Sequence, residues 1–254
     1  MEIVILGCGP SSGVPFYGDR WGACDPKNIK NIRTRSSILI KHQGATLLVD
    51  TGPDLRQQLV REKITDIDGV LYTHDHADHT HGIDDLRGLA TLNNKSYPFW
   101  ADEKTYSSLS TRFAYLMTTS PSHETFRPFM EPHLIGGMFT VCGISIIPFE
   151  QDHGFSKSLG FRMGDFAYST DVVNLDERAF DLLKGVKVWI VGALQYEPHA
   201  AHAHLDKTLS WIDRVAPEKA YLTHMSGRLD YDILTSTLPP NVLPCYDGLR
   251  IQVS

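Results

Sequence analysis

A chain of 254 residues with 42% hydrophobic and 21% charged content can bury one substantial core, which excludes wholesale disorder. Its net charge of −6 argues against nonspecific nucleic-acid binding through a broad basic face, while leaving room for a local anion pocket. No apolar run approaches the roughly 18 residues of a membrane span, and the opening MEIVILGCG reads as a first strand, not a signal peptide.

Taken in chain order, EIVILG (2–7), SSILIKH (36–42), ATLLVDTG (45–52) and GVLYTHDH (69–76) are short, β-branched runs that predict strands. DLRQQLVREK (54–63) predicts a short helix between two of them and so a βαβ passage. IDDLRGL opens another helical segment, with Asp84 and Asp85 as caps or partners of Arg87. Residues 92–135 read least clearly: TYSSLSTRFAYLM (105–117) is helical, and the turn-rich TTSPSHETFRPFMEPH predicts a flap or small insertion. Four more strand runs follow at 138–153, 159–171, 186–194 and 219–225, with helices at 176–185 and 205–216 between the later ones. Hairpin-like pairs alternating with crossovers fit two sheets covered by outer helices better than one doubly wound sheet. Residues 1–254 thus read as one domain without repeats or low-complexity linkers. Cys8, Cys24, Cys142 and Cys245 are scattered without CxxC spacing, the pattern of isolated thiols in a reducing cytoplasm.

The stretch THDHADHTHG (73–82) gathers four of the chain's 12 histidines beside an apolar run. A solvated polar loop, a structural metal clip and half of a catalytic metal centre compete to explain it. Packing neutral imidazoles together wastes their donors and invites cation repulsion, whereas a metal supplies the attraction. Further ligands are available wherever a strand-like run closes on a polar residue: His153 in FEQDHG, Asp171 in AYSTD and His224 in YLTHMSG. His74, His76 and His153 can then surround one ion, and Asp78, His79 and His224 another, with Asp171 between them. That is the ligand set of a two-metal hydrolytic site.

THDHADH, with the later DHG, STD and LTH pieces, resembles the metallo-β-lactamase superfamily and its HxHxDH signature. The resemblance covers almost the whole chain. It implies a four-layer αββα sandwich, with the metals at one edge between the sheets and the seven residues above as ligands. Asp50 in LLVDTG matches an aspartate that supports the site from behind the ligands; by itself it also reads as a turn-capping residue.

GCGPSSGVP, NIRTRSSILI, HADHTHGIDDLR and AHLDKTLSWI are similar to the phosphodiesterase branch, which includes phosphoribosyl cyclic phosphodiesterases and, more distantly, ribonuclease Z. The implied activity is hydrolysis of a small phosphodiester, a cyclic phosphate or nucleotide-like molecule, by a hydroxide bridging two Zn²⁺ or Mn²⁺ ions. Asp78 and Asp171 belong to that catalytic centre. His204 resembles the branch's leaving-group histidine, with His202 and His199 as alternatives in PHAAHAHLD. A homodimer is implied by the same resemblance. The chain departs from the branch at YGDRWGACDPKNIKNIRTR, where Cys24 stands alone, so no cysteine-bound structural zinc is expected. Arg33, Arg35, Ser36 and Ser37 are candidate phosphate contacts, and Phe16, Tyr17 and Trp21 a candidate apolar wall. Competing readings are an RNA-processing nuclease, a thioester or lactone hydrolase, and a metal-binding module without catalysis.

Overall fold

Alternation along the first strand sets the layers. In β1 (Glu2–Gly7), Ile3 and Ile5 enter one buried cluster while Val4 and Leu6 enter another, so the strand is covered on both faces. The computed structural model describes residues 1–118 and 128–253. Its first sheet runs in the order β14 (Arg250–Gln252), β1, β2 (Ser37–His42), β3 (Ala45–Val49), β4 (Gly69–Leu71), β5 (Tyr97–Ala101) and β6 (Met130–Leu134). Strands β14 to β3 pair antiparallel, and β3 to β6 pair parallel.

The second sheet repeats this plan. Its order is β13 (Val242–Pro244), β12 (Lys219–Thr223), β11 (Val188–Gly192), β10 (Phe166–Ser169), β9 (Ser156–Met163), β8 (Ile144–His153) and β7 (Phe139–Val141). Here β13 to β10 are parallel and β10 to β7 antiparallel. Ile3, Ile38, Ile40 and Val49 of the first sheet share a buried cluster with Ile146, Phe161, Phe166 and Ile190 of the second. On its other face the first sheet packs Leu39, Val70 and Phe99 against α1 (Leu55–Arg61), α3 (Leu86–Asn93) and α4 (Glu103–Arg112), through Leu55, Leu86 and Leu109. The second sheet is flanked by α5 (Glu177–Leu183), α6 (Leu205–Val215) and α7 (Tyr231–Thr237), through Phe180, Trp211 and Leu234. A short helix, α2 (Ala77–Thr80), lies in the histidine-rich turn. Two mixed sheets flanked by helices make the expected αββα sandwich. Among the described residues no helix is long and apolar enough to cross a membrane.

Two predicted runs are in fact pairs of strands. Residues 138–153 break at Cys142 and Gly143, and residues 159–171 at Gly164, each in the left-handed region that a tight turn requires. The unclear segment holds β5, α4 and β6. Pro98 and Pro132 lie inside those strands, where each removes a ladder donor and blurs the pattern. Residues 119–127 of the expected flap lie outside the described residues.

Two glycines probe this packing in opposite directions. A Cβ on Gly82 would sit 2.0 Å from the carbonyl oxygen of Gly52, a backbone atom with no room to yield. A Cβ on Gly88, inside α3, meets nothing within 4 Å. Urea denaturation is expected to show Gly82→Ala losing about 1–3 kcal/mol and Gly88→Ala gaining about 0.5–1 kcal/mol. Equal effects would mean that the contact between the Gly52 and Gly82 turns is not tight.

Candidate metal centre

Three strands end one or two residues before a polar side chain held in the left-handed region. Asp50 (φ 63°) follows β3, Asp171 (φ 47°) follows β10, and His224 (φ 56°) follows β12. Such a conformation costs of order 1–3 kcal/mol in a non-glycine residue, and Asp and His are among the side chains that adopt it most readily. His153 closes β8, and the turn after β4 supplies His74, His76, Asp78 and His79. The two sheets thus bring all seven predicted ligands to one edge of the sandwich.

Their atoms form two adjoining groups, and a third, overlapping group brings His202 against His153 and Asp171. His74, His76 and His153 make one; Asp78, His79, Asp171 and His224 make the other, with ligand atoms in each group within 4.8 Å of one another. Asp171 divides its oxygens between them. Its Oδ2 lies 3.0 Å from His79 Nε2 and 3.2 Å from His224 Nε2, while Oδ1 lies 3.6 Å from His153 Nε2. These separations suit atoms sharing a tetrahedral ion, for which metal bonds of about 2.1 Å put ligand atoms about 3.4 Å apart. Although 3.0 Å is a hydrogen-bonding distance, His79 Nε2 has no hydrogen bond; neither do the buried His74 Nε2 nor either ring nitrogen of His224.

Hydrogen bonds behind the ligands decide which nitrogens face inward. His79 Nδ1 lies 2.7 Å from Asp50 Oδ2, so it carries the proton and leaves Nε2 as the lone pair. Thr73 donates its hydroxyl to the same Asp50 oxygen, so it can only accept from His74 Nδ1 at 3.0 Å, which frees His74 Nε2. His153 Nδ1 donates to the Ala201 carbonyl at 2.7 Å, freeing its Nε2, which faces His76 Nδ1 at 3.3 Å. The network therefore aims lone pairs at common points, as metal ligation demands.

Charge agrees with this geometry. Burial pushes the His74 imidazole well below its ordinary pKa, and His79 beside it adds to the effect. Burial alone would raise Asp171, but His224 and His79 outweigh it and hold the carboxyl well below the usual range. Burial likewise opposes a charged His79, yet Asp171, Asp78 and Asp50 hold it well above its ordinary value. The site draws positive charge inward.

A cleft of about 510 Å³ opens over the centre, walled by His76, Asp78, His153, Asp171 and His224. His202 also lines it, with Nδ1 3.7 Å from Asp171 Oδ1 and its ring stacked 4.7 Å from His224. His204, the expected leaving-group residue, is half-buried at the N-cap of α6. His199 is exposed, its ring tilted 5.1 Å from that of His202.

The other polar candidates are spent elsewhere. Arg33 is buried and donates to the carbonyls of Ser226 and Leu229. Arg35 pairs with Asp54 at 2.8 Å, and Ser36 and Ser37 donate to backbone carbonyls. None of Phe16, Tyr17 and Trp21 lines the cleft; the aromatic that does is Phe155. His81 is exposed, its ring 5.6 Å from Phe113. The segment around Cys24 is tied down by Asp230, which accepts from Asp25 N at 2.9 Å and Asn31 Nδ2 at 2.7 Å. Thr73 and the Ala201 carbonyl escaped the sequence reading, since neither a lone threonine nor a backbone oxygen carries a signal.

Residues 45–225 match the family model of the β-lactamase superfamily domain. The chain belongs to the metallo-β-lactamase superfamily. Within this superfamily it falls in the phosphodiesterase branch that resembles the PhnP family and ribonuclease Z. A crystal structure of a diphosphatase from the PhnP family is 31% identical, with a TM-score of 0.91, and the match covers 100% of this chain and 98% of that one. An octanoyltransferase of Porphyromonas gingivalis is 29% identical over 260 residues, 98% of this chain and 51% of that protein. Ribonuclease Z of Clostridium kluyveri is 31% identical over 96 residues, 37% of this chain and 26% of that protein. The chain thus spans about half of the one relative and about a quarter of the other. Its histidine–aspartate groups are those of a metal-dependent hydrolase, broadly phosphoesterase-like.

Asp50 offers a test of the inward lone pairs. Asp50→Asn keeps volume but replaces an acceptor with a donor opposite His79 Nδ1 and the Thr73 hydroxyl. Zinc affinity, measured by competition with a chromogenic chelator, is expected to fall about 10- to 100-fold. Unchanged affinity would mean that Asp50 does not orient these rings.

Proposed function

We propose that the chain is a dinuclear phosphodiesterase, a single metallo-hydrolase domain acting on a small phosphodiester of cyclic-phosphate or nucleotide-like type. The observation that carries this reading is Asp171, whose two oxygens face different ligand groups. His74, His76 and His153 would hold one Zn²⁺ or Mn²⁺, Asp78, His79 and His224 the other, and Asp171 both. Two such ions acidify a bound water and offset charge that builds on phosphoryl oxygens. The likeness to a diphosphatase over the full chain supports phosphoryl chemistry.

The chain's own residues then supply position and a proton. Asp50 and Thr73 fix the rings beneath the cleft, and the Ala201 carbonyl fixes His153. His202 stands at the cleft wall, placed to hydrogen-bond the departing oxygen and pass it a proton. Burial, then the neighbouring His224, pushes its pKa down to about 3, so it rests neutral. An anionic ester beside it acts in the opposite direction.

Acyl thioester hydrolysis is the second reading, favoured by the match to an octanoyltransferase. The cleft speaks against it. Of its described lining residues only Phe155 and Ala201 are apolar, whereas an eight-carbon chain gains about 0.8 kcal/mol per methylene only where apolar walls receive it.

Kinetics on two ester types separate the histidines. His202→Ala is expected to slow a diester with an alkyl leaving group about 10²- to 10⁴-fold, and a p-nitrophenyl ester, whose oxygen needs little protonation, far less. His204→Ala is expected to leave both within a few-fold, with metal content measured on the same preparations. The reverse pattern would return the proton to His204, and hydrolysis of thioesters but no phosphodiester would overturn the proposed function.

A further inference from the structure

Two residues of the cleft wall have no part in holding the metal centre, and each is unusual where it stands. Phe155 is 98% exposed, the most exposed large hydrophobic side chain among the described residues. It occupies the turn between β8 and β9, one residue beyond His153 and Gly154. That turn is fixed. Gly154 has φ +72°, its amide donates to Asp152 Oδ1 at 2.9 Å, and a Cβ on it would lie 2.7 Å from the Ala200 carbonyl oxygen. A rigid turn therefore holds an aromatic ring in water at the rim of the cleft, where burial gives no reason for it.

Lys104 is the lone lysine or arginine among the described residues that line the cleft. It lies in the first turn of α4, whose start is pinned by Asp102 accepting from Thr105 N at 2.8 Å. Its ammonium is 3.8 Å from Asp75 Oδ1, an ion pair too long for a hydrogen bond, and its side chain is 63% exposed. Arg112 holds the other Asp75 oxygen at 3.2 Å, which leaves the lysine donors available. A second cavity of about 660 Å³ continues past Asp75 and Lys104 along α4, adding Glu103, Arg112 and the hydroxyls of Ser107, Ser108 and Thr111. Phe155 comes from the second sheet and Lys104 from a helix covering the first, so the two halves of the sandwich each contribute one anchor.

We propose that these anchors set substrate class: Phe155 stacks an aromatic base, and Lys104 binds a second anionic group that extends toward α4. The substrate is then a small nucleotide carrying a phosphate besides the one over the metal centre. This inference rests on the phosphodiesterase reading, and names what that site selects. Base stacking on an aromatic side chain contributes about 1–3 kcal/mol elsewhere; an exposed lysine contact contributes less. Phe155 is therefore the stronger determinant.

Calorimetric binding to the zinc-loaded protein tests both anchors with four probes: ribose 5-phosphate, ribose 1,5-bisphosphate, AMP and adenosine 3′,5′-bisphosphate. Phe155→Ala is expected to weaken the two adenosine probes about 5- to 100-fold and leave the ribose probes within two-fold; Phe155→Trp restores binding. Lys104→Met is expected to weaken the two bisphosphates about 2- to 5-fold while sparing the monophosphates, and Lys104→Arg restores them. Equal loss across all four probes, or none, would overturn the inference. An adenosine tetranucleotide binding the wild type more tightly than adenosine 3′,5′-bisphosphate would also overturn it, in favour of a nucleic-acid end. Wild-type turnover of bis(p-nitrophenyl) phosphate separates the two levels. Turnover without selective binding defeats the anchors alone, and selective binding without turnover of any diester defeats the phosphodiesterase reading.

Discussion

Buried ring nitrogens without hydrogen-bond partners govern this molecule. His74 Nε2, His79 Nε2 and both nitrogens of His224 are buried without a hydrogen-bond partner, in a space shared with the carboxylates of Asp78 and Asp171. One such buried atom costs about 1–3 kcal/mol, so four together rival the 5–15 kcal/mol that holds a typical domain folded. Protonating His79 relieves part of that cost, which is why the acids around it raise its pKa. Cations held by the inward-facing nitrogens would relieve most of it, each imidazole offering one ring nitrogen. The donor set fits them chemically, since imidazole and carboxylate suit zinc and manganese alike.

The fold exists in the form it does because neither sheet can complete the site. The turn after β4 brings His74, His76, Asp78 and His79 from the first sheet, while β8, β10 and β12 bring His153, Asp171 and His224 from the second. Only when the apolar inner faces meet do these come within reach. Ile3, Ile38 and Val49 against Phe161, Phe166 and Ile190 thus fix the metal centre as surely as its own hydrogen bonds do. Within the site, backbone strain falls at the strand ends. Asp50, Asp171 and His224 all sit at positive φ there, where a sharp turn aims a side chain across the gap between the sheets.

Much of this was legible in the residues. HxHxDH compresses four candidate ligands into one turn, and strand-then-His or strand-then-Asp patterns announce the other three candidates, because strand ends at a sheet edge are where such sites assemble. Short β-branched runs likewise announced β1, β2 and β3. What stayed hidden depends on direction or on long-range pairing. His202 and His204 differ only in which way a turn points them before α6 begins. Arg33 looks like an anion contact in sequence and is an internal strut in space, since its carbonyl partners lie nearly 200 residues away. Strands β5 and β6 carry proline, and β13 and β14 are three residues each, too short for alternation to show. Phe155 and Lys104 gave no signal, because a single exposed residue means nothing until the cleft beside it is known.

Anomalous diffraction from crystals of zinc-loaded protein, recorded on both sides of the zinc edge, addresses the shared carboxylate directly. Two full peaks about 3.5–4 Å apart, with one Asp171 oxygen directed at each, is the result this account predicts. A single peak, or two peaks of which only one contacts Asp171, would contradict it.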